Sequence, residues 1–235
     1  MLVPARVVLE ATLREVVAIG VTSVASLGSL ELDQLSLRLP ETEIRIASEM
    51  HRHAQRGHFV VGRLLVRSLA AKVMGMNACE LVIDVEQRGR PVVANAPFPL
   101  FVSIAHSENV VVAAAARRRV GVDVERVAAH RHPGIFRRVC SSRELRLLAR
   151  TAHGDRDRAF VSIWSRKEAY GKALGVGLDY DLRAVSVGPK GAKVRGAAGV
   201  WRVRDFDAIE GYVIAAAAPG RTWRAAVDIV GWRDL

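Results

Sequence analysis

Cysteine is scarce in this chain: only Cys79 and Cys140 occur in 235 residues, and neither belongs to a paired Cys/His spacing. That excludes a disulfide framework and leaves a zinc site unsupported. Aromatic residues make up only 6%, which leaves little for base stacking. No helix-turn-helix, RNP-like or zinc-finger pattern accompanies the positive charge, so nucleic acid is not expected as a partner. Long apolar runs are missing as well. The longest uncharged stretch near the start, residues 16–30, carries Gly, Ser and Thr and falls short of the ~18 apolar residues that suggest a membrane span. Glu10, Arg14 and Glu15 interrupt the first residues, which therefore do not read as a signal peptide. A cytoplasmic monomer without a membrane partner is the expectation, and no internal repeat is evident.

What the chain does have is apolar bulk and positive charge. Half of its residues are hydrophobic, ample for one large core or two small ones. The net charge is +11, unevenly spread: residues 1–120 hold 14 Lys+Arg against 11 Asp+Glu, and residues 121–235 hold 21 against 13. Residues 126–158 alone contain nine arginines and three acids. Such a segment either attracts an anionic partner and steers its approach or is simply a set of solvated helices.

Apolar residues at helical spacing predict a polar helical stretch from residue 40 to about 56 and a helix over 59–76. Residues 81–86 read as a strand, 87–91 as its turn, and 100–105 and 110–116 as two more strands. In the second half a strand over 120–125 leads through a Pro133-Gly134 break to short helices. A long helix then runs from about 155 to 174, with Gly175 placed as its C-terminal cap. Strands follow over 182–187, 212–217 and 222–229. Each half runs from helix to strands, which makes the chain α+β.

Two stretches carry candidate chemistry. On the long helix Trp164, Glu168 and Lys172 stand at i, i+4 and i+8, one face. On the strand before it Asp123 and Glu125 alternate with valines and so share one side of a sheet. Three carboxylates and a lysine could meet at one site, and carboxylates with water around a phosphate-bearing substrate are a usual way to hold Mg²⁺. Plainer readings stand beside this one. Alternation is what any half-buried strand shows, and Glu168 with Lys172 could be an i,i+4 ion pair stabilising by roughly 0.3–0.5 kcal/mol. Ser141-Ser142-Arg143-Glu144 fits a capping box, with Glu144 reaching back to the backbone.

The strand reads VGVDVE and the helix WSRKEAYGKALG. In this order and spacing they resemble the 4′-phosphopantetheinyl transferases of the surfactin-synthetase-activating (Sfp) type, whose patterns are (I/V)G(I/V)D(I/V)E and W(S/T)xKEAxxKxxG. Gly89-Arg90-Pro91 stands where that family has a Gly-Lys-Pro turn, and Phe101 to Ser107 where it has a Phe-Asn-x-Ser-His-Ser strand. The resemblance covers about residues 62–178.

It implies two similar α/β halves, a pseudo-dimer with the active site between them. Residues 1–118 would contribute to coenzyme A binding, and residues 119–235 would carry the metal site and the carrier docking surface. By the same resemblance Asp123, Glu125 and Glu168 are Mg²⁺ ligands, and Lys167 and Lys172 lie near the pyrophosphate and the attacking hydroxyl. His106 contacts coenzyme A phosphates, and Glu144 or Glu168 is the base that deprotonates the incoming serine. Trp164 is read as structural. Ala105 and Ser103 depart from the family's serine and asparagine, and Arg90 keeps the lysine's charge while adding a planar face that could lie against adenine. For the 3′-phosphate the chain offers Arg45, Arg52, Arg56 and His58, of which Arg52 is chosen. The implied reaction moves 4′-phosphopantetheine from coenzyme A to a serine of an acidic acyl or peptidyl carrier protein, in the service of a polyketide or peptide synthetase. The alternative is a catalytically lapsed basic protein of the same fold that holds a nucleotide or nucleic acid.

Overall fold

A computed structural model describes residues 16–86, 89–127, 133–176, 180–188, 194–195 and 199–235. Gln87 of the expected turn, Arg131 of the arginine-rich segment and Leu178 at the end of the resemblance lie outside them. Up to residue 118 the elements are β1 (Val16–Ser23), α1 (Ser29–Ser36), α2 (Glu41–Ser48), α3 (His53–Met74), β2 (Ile83–Val85), β3 (Pro91–Val93), β4 (Phe101–Ser107) and β5 (Val110–Ala116). Then come β6 (Gly121–Arg126), α4 (Pro133–Val139), α5 (Ser142–Arg150), α6 (Arg156–Leu174), β7 (Ser186–Val187), β8 (Val194–Arg195), β9 (Trp201–Phe206), β10 (Tyr212–Pro219) and β11 (Arg224–Ile229). The chain divides into two compact units: residues up to Arg118 together with Trp223–Leu235, and Arg119–Thr222. Among the described residues no helix is long and apolar enough to cross a membrane.

The first unit is built on a six-stranded sheet in the order β11-β1-β5-β4-β3-β2. β11 runs parallel to β1, and every other neighbouring pair is antiparallel. α3 lies on this sheet, burying Leu65, Val66 and Leu69 in one cluster with Val102, Val111 and Ala113. Its approach is close: a Cβ added at Gly20 of β1 would lie 2.7 Å from Leu65 Cδ1. The last thirteen residues belong here by pairing, although the sequence reading placed them with the second half. Residues 16–23, in the sequence only part of an uncharged stretch, form the strand that receives β11.

The second unit packs α6 on the antiparallel sheet β6-β10-β9, with β7 and β8 paired beside it. Phe160, Ile163, Ala169 and Ala173 of α6 share a buried cluster with Trp201, Val203, Ala215 and Ala217. Small alanines along β10 let the helix settle near the sheet. Gly175 ends α6 at φ 77°, its N–H bonded to the carbonyls of Gly171 and Lys172, the left-handed stop that glycine accepts without a Cβ penalty. The expected strand over 182–187 is shorter than predicted: Leu182–Ala184 form a 3₁₀ turn and only Ser186–Val187 pair as β7.

Candidate active site

A glycine sets the geometry where β6 meets α6. Side chains alternate along a strand, so Gly121, Asp123 and Glu125 share a face. A Cβ at Gly121 would lie 2.1 Å from the carbonyl oxygen of Ala169 and 2.4 Å from the nitrogen of Ala173, backbone atoms that cannot give way. The missing side chain thus permits the helix to touch the strand. The neighbouring helical row, Glu168 and Lys172, then reaches Asp123.

Lys172 Nζ donates to Asp123 Oδ1 at 2.7 Å. Asp123 is buried, and its Oδ2, like Oε1 of Glu168, lies out of solvent without a hydrogen-bond partner. Burial first, then repulsion from Asp123 and Glu125, outweigh the attraction of Lys172 and push the Glu168 carboxyl up to about 7. The structure therefore brings together Asp123, Glu125, Glu168 and Lys172. Among the described residues no three His, Cys, Asp or Glu side chains are grouped as a bound ion would group them. A buried and a half-buried carboxylate that feel each other's charge, each with an orphaned buried oxygen, still form a donor set short of a cation. Hard oxygens of this kind fit Mg²⁺. Trp164 is half-buried against Phe160, ring centroids 6.2 Å apart, a packing role as expected.

Glu144 and Lys167 depart from the roles the resemblance gave them. Ser141 caps α5 in a full capping box, its own N–H donating to Glu144 Oε2 at 2.8 Å. Glu144 Oε1 accepts the Val187 N–H at 2.7 Å. Lys167 Nζ lies 2.7 Å from Glu144 Oε2 and donates to the carbonyls of Val139 at 2.8 Å and Leu182 at 2.6 Å. Lys167 is 0% exposed and Glu144 1%. Every donor and both carboxylate oxygens are occupied inside the protein, so Glu144 is not placed to take a serine proton, nor Lys167 to hold a phosphate. Helix geometry explains the second correction: residue 167 sits roughly 100° around the axis from residue 168 and faces α5 instead of β6.

Beside this pair, burial pushes the Cys140 thiol up to about 12, with Glu144 adding to the shift and Lys167 opposing it. Iodoacetamide at pH 8 should therefore add one carbamidomethyl group to the folded protein, at exposed Cys79, and two after denaturation. Intact mass reads the difference, and rapid labelling of Cys140 in the native protein would contradict this packing.

The first unit holds the other predicted residues. His106 stacks on His58, ring centroids 4.2 Å apart and 14° from parallel. Both line a cavity of about 280 Å³ together with Gln55, Phe59, Arg63 and Gly89. His58 Nε2 lies 2.5 Å from the carbonyl of Glu108, a residue at φ 46° in the β4–β5 turn. Arg90 covers the Phe101 ring at 5.5 Å, so one guanidinium face is already spent on the protein. Arg52 is exposed at the N-cap position of α3 and does not line the cavity, while Arg56 is held by Asp33 at 2.6 Å. Arg63 and Gln55 were missed. Their spacing was the available signal, since residues 55, 58, 59 and 63 fall on one helical face.

A buried and a half-buried carboxylate with an ammonium beside them make a donor set that suits phosphate-bearing substrates. Residues 119–217 match the family model described as the 4′-phosphopantetheinyl transferase superfamily. Over 202 residues the chain is 26% identical to the 4′-phosphopantetheinyl transferase HetI of Nostoc sp., covering 83% of this chain and 84% of that one. A 4′-phosphopantetheinyl transferase of Bacillus subtilis is 27% identical over 75% of this chain and 80% of its own. Sfp of Bacillus subtilis strain 168 is 23% identical over the same shares. Residues 119–217 thus match that superfamily's model, and over most of its length the chain is similar to proteins named 4′-phosphopantetheinyl transferases.

Proposed function

We propose that the protein transfers 4′-phosphopantetheine from coenzyme A to a serine hydroxyl of an acyl or peptidyl carrier protein, with Mg²⁺, releasing adenosine 3′,5′-bisphosphate. The observation that carries this reading is the orphaned pair of carboxylate oxygens on Asp123 and Glu168 beside Lys172. The serine oxygen forms a bond to the β-phosphorus of coenzyme A, the bond from that phosphorus to the oxygen bridging the α-phosphate breaks, and the nucleotide leaves with the electron pair. Held by Asp123 and Glu168 with Glu125 close by, Mg²⁺ would neutralise charge on the pyrophosphate. Lys172 supplies a further positive charge to the same phosphates. Glu168 is the carboxylate left to accept the serine proton once Glu144 is committed to the capping box.

The cavity of the first unit, with its stacked imidazoles and Arg63, suits the nucleotide portion of coenzyme A, and His58 joins His106 there. For an acidic carrier the exposed arginines Arg137, Arg138, Arg143, Arg146 and Arg150 on α4 and α5 suit docking. Arg156 and Arg158 are engaged by Leu148 and Asp207 and drop out of that surface. A lapsed binding protein would have no use for carboxylate oxygens held out of solvent without a hydrogen-bond partner, as Asp123 Oδ2 and Glu168 Oε1 are, because such oxygens cost stability. The test is intact mass of an apo carrier incubated with the protein, coenzyme A and Mg²⁺. A phosphopantetheine adduct on one serine is expected, and unmodified carriers of several types, with the protein folded, would sink the reading.

A further inference from the structure

We propose that Lys172 is a tethered cation that occupies Asp123 in the metal-free protein and must leave it before a divalent ion enters, so that ammonium and metal compete for one carboxylate. The inference rests on the Mg²⁺ reading of the Asp123 and Glu168 site. Its basis is geometric. Lys172 Nζ takes Oδ1 of Asp123 at 2.7 Å, whereas Asp123 Oδ2 and Glu168 Oε1 remain without partners. One monovalent group satisfies only part of the acidic cluster.

Exposure gives the contact a direction. The side chain of Asp123 is 7% exposed and that of Lys172 is 30% exposed, so the ammonium reaches the buried carboxylate from the wetter side, on a flexible four-carbon stem that can swing away. A bare buried carboxylate is strongly unfavourable. Lys172 therefore stabilises the empty site at the expense of metal affinity. A pyrophosphate arriving with the metal offers the displaced ammonium a new partner, so substrate and metal should favour each other's binding.

Two measurements without coenzyme A test this on the full chain. Calorimetry with Mg²⁺ alone compares wild type, Lys172→Met and Asp123→Asn. Lys172→Met should bind at least about 5-fold more tightly than wild type, within the range of measured site-to-site couplings, and Asp123→Asn should bind far more weakly. Because deleting a charge strengthens any nearby cation site through space, acetylation of Lys172 by an N-hydroxysuccinimide ester, read by peptide mass spectrometry, examines displacement directly. Labelling should rise several-fold when Mg²⁺ is added to wild type, and should already be fast in metal-free Asp123→Asn. Equal or weaker metal binding by Lys172→Met, or unchanged labelling at saturating Mg²⁺, means that ammonium and metal sit together; the competition is then wrong while the metal site stands. No Mg²⁺ binding by any of the three overturns both. Lys172→Gln replaces the methionine variant should that one fail to fold.

Discussion

Lys167→Met should destabilise the second unit by about 3–5 kcal/mol, the usual cost of stripping one partner from a buried ion pair. Lys167 is fully buried and holds Glu144 together with the carbonyls of Val139 and Leu182. Removing it leaves a charged carboxylate and two carbonyls inside the protein without their donor. Glu144→Gln added to Lys167→Met should recover part of the loss, because the amide still accepts the Val187 N–H and no longer buries a charge. Urea unfolding of the wild type, both single variants and the double variant measures this coupling. A Lys167→Met protein as stable as wild type but with weakened coenzyme A binding would return Lys167 to the phosphate-contacting role that the family resemblance implied.

That pair shows how far the site was legible in the sequence. The capping box at Ser141 to Glu144 could be read from the order Ser-x-x-Glu, and it is present. The partner could not, because Lys167 lies 23 positions beyond Glu144 and only the packing of α5 on α6 brings them together. Lys172 was easier, since its i+4 relation to Glu168 fixes a common face whatever the rest of the chain does. β4, β5, β6 and α6 appear close to their predicted bounds, each marked by strong alternation or a long apolar face. β1 did not stand out. Residues 16–30 run apolar without a turn signal strong enough to divide strand from loop, and alternation is weak when a strand is buried on both faces. Its parallel pairing with β11 joins residues some two hundred positions apart, which no local pattern encodes. The stacking of His58 on His106 likewise depends on where α3 crosses β4.

Asp123→Asn should abolish most of the transfer activity while leaving the fold intact, a loss of at least about 100-fold in kcat if the cation that neutralises the pyrophosphate is no longer held. Asparagine matches the shape of aspartate, so packing beneath Gly121 is kept and the change is in charge. Glu168→Gln should lose turnover comparably, and Glu125→Gln, at the half-buried end of β6, should lose less. Titration supplies an independent check. Burial and the neighbouring acids raise the folded-state value of Glu168 to about 7 from an ordinary carboxyl near 4.5. A raised carboxyl favours the folded state while protonated, so its contribution is complete below about pH 4.5 and is lost as pH climbs through about 7. Metal-free wild type should therefore lose stability relative to Glu168→Gln between pH 5 and pH 8, and saturating Mg²⁺ should reverse the trend by pairing the ionised carboxylates. Transfer rate against Mg²⁺ concentration, with thermal unfolding at both pH values, separates the outcomes. Were Asp123 and Glu168 only members of a solvated strand face and a helix ion pair, both variants would keep wild-type rates and the same metal dependence, with stability changed by no more than about 1 kcal/mol.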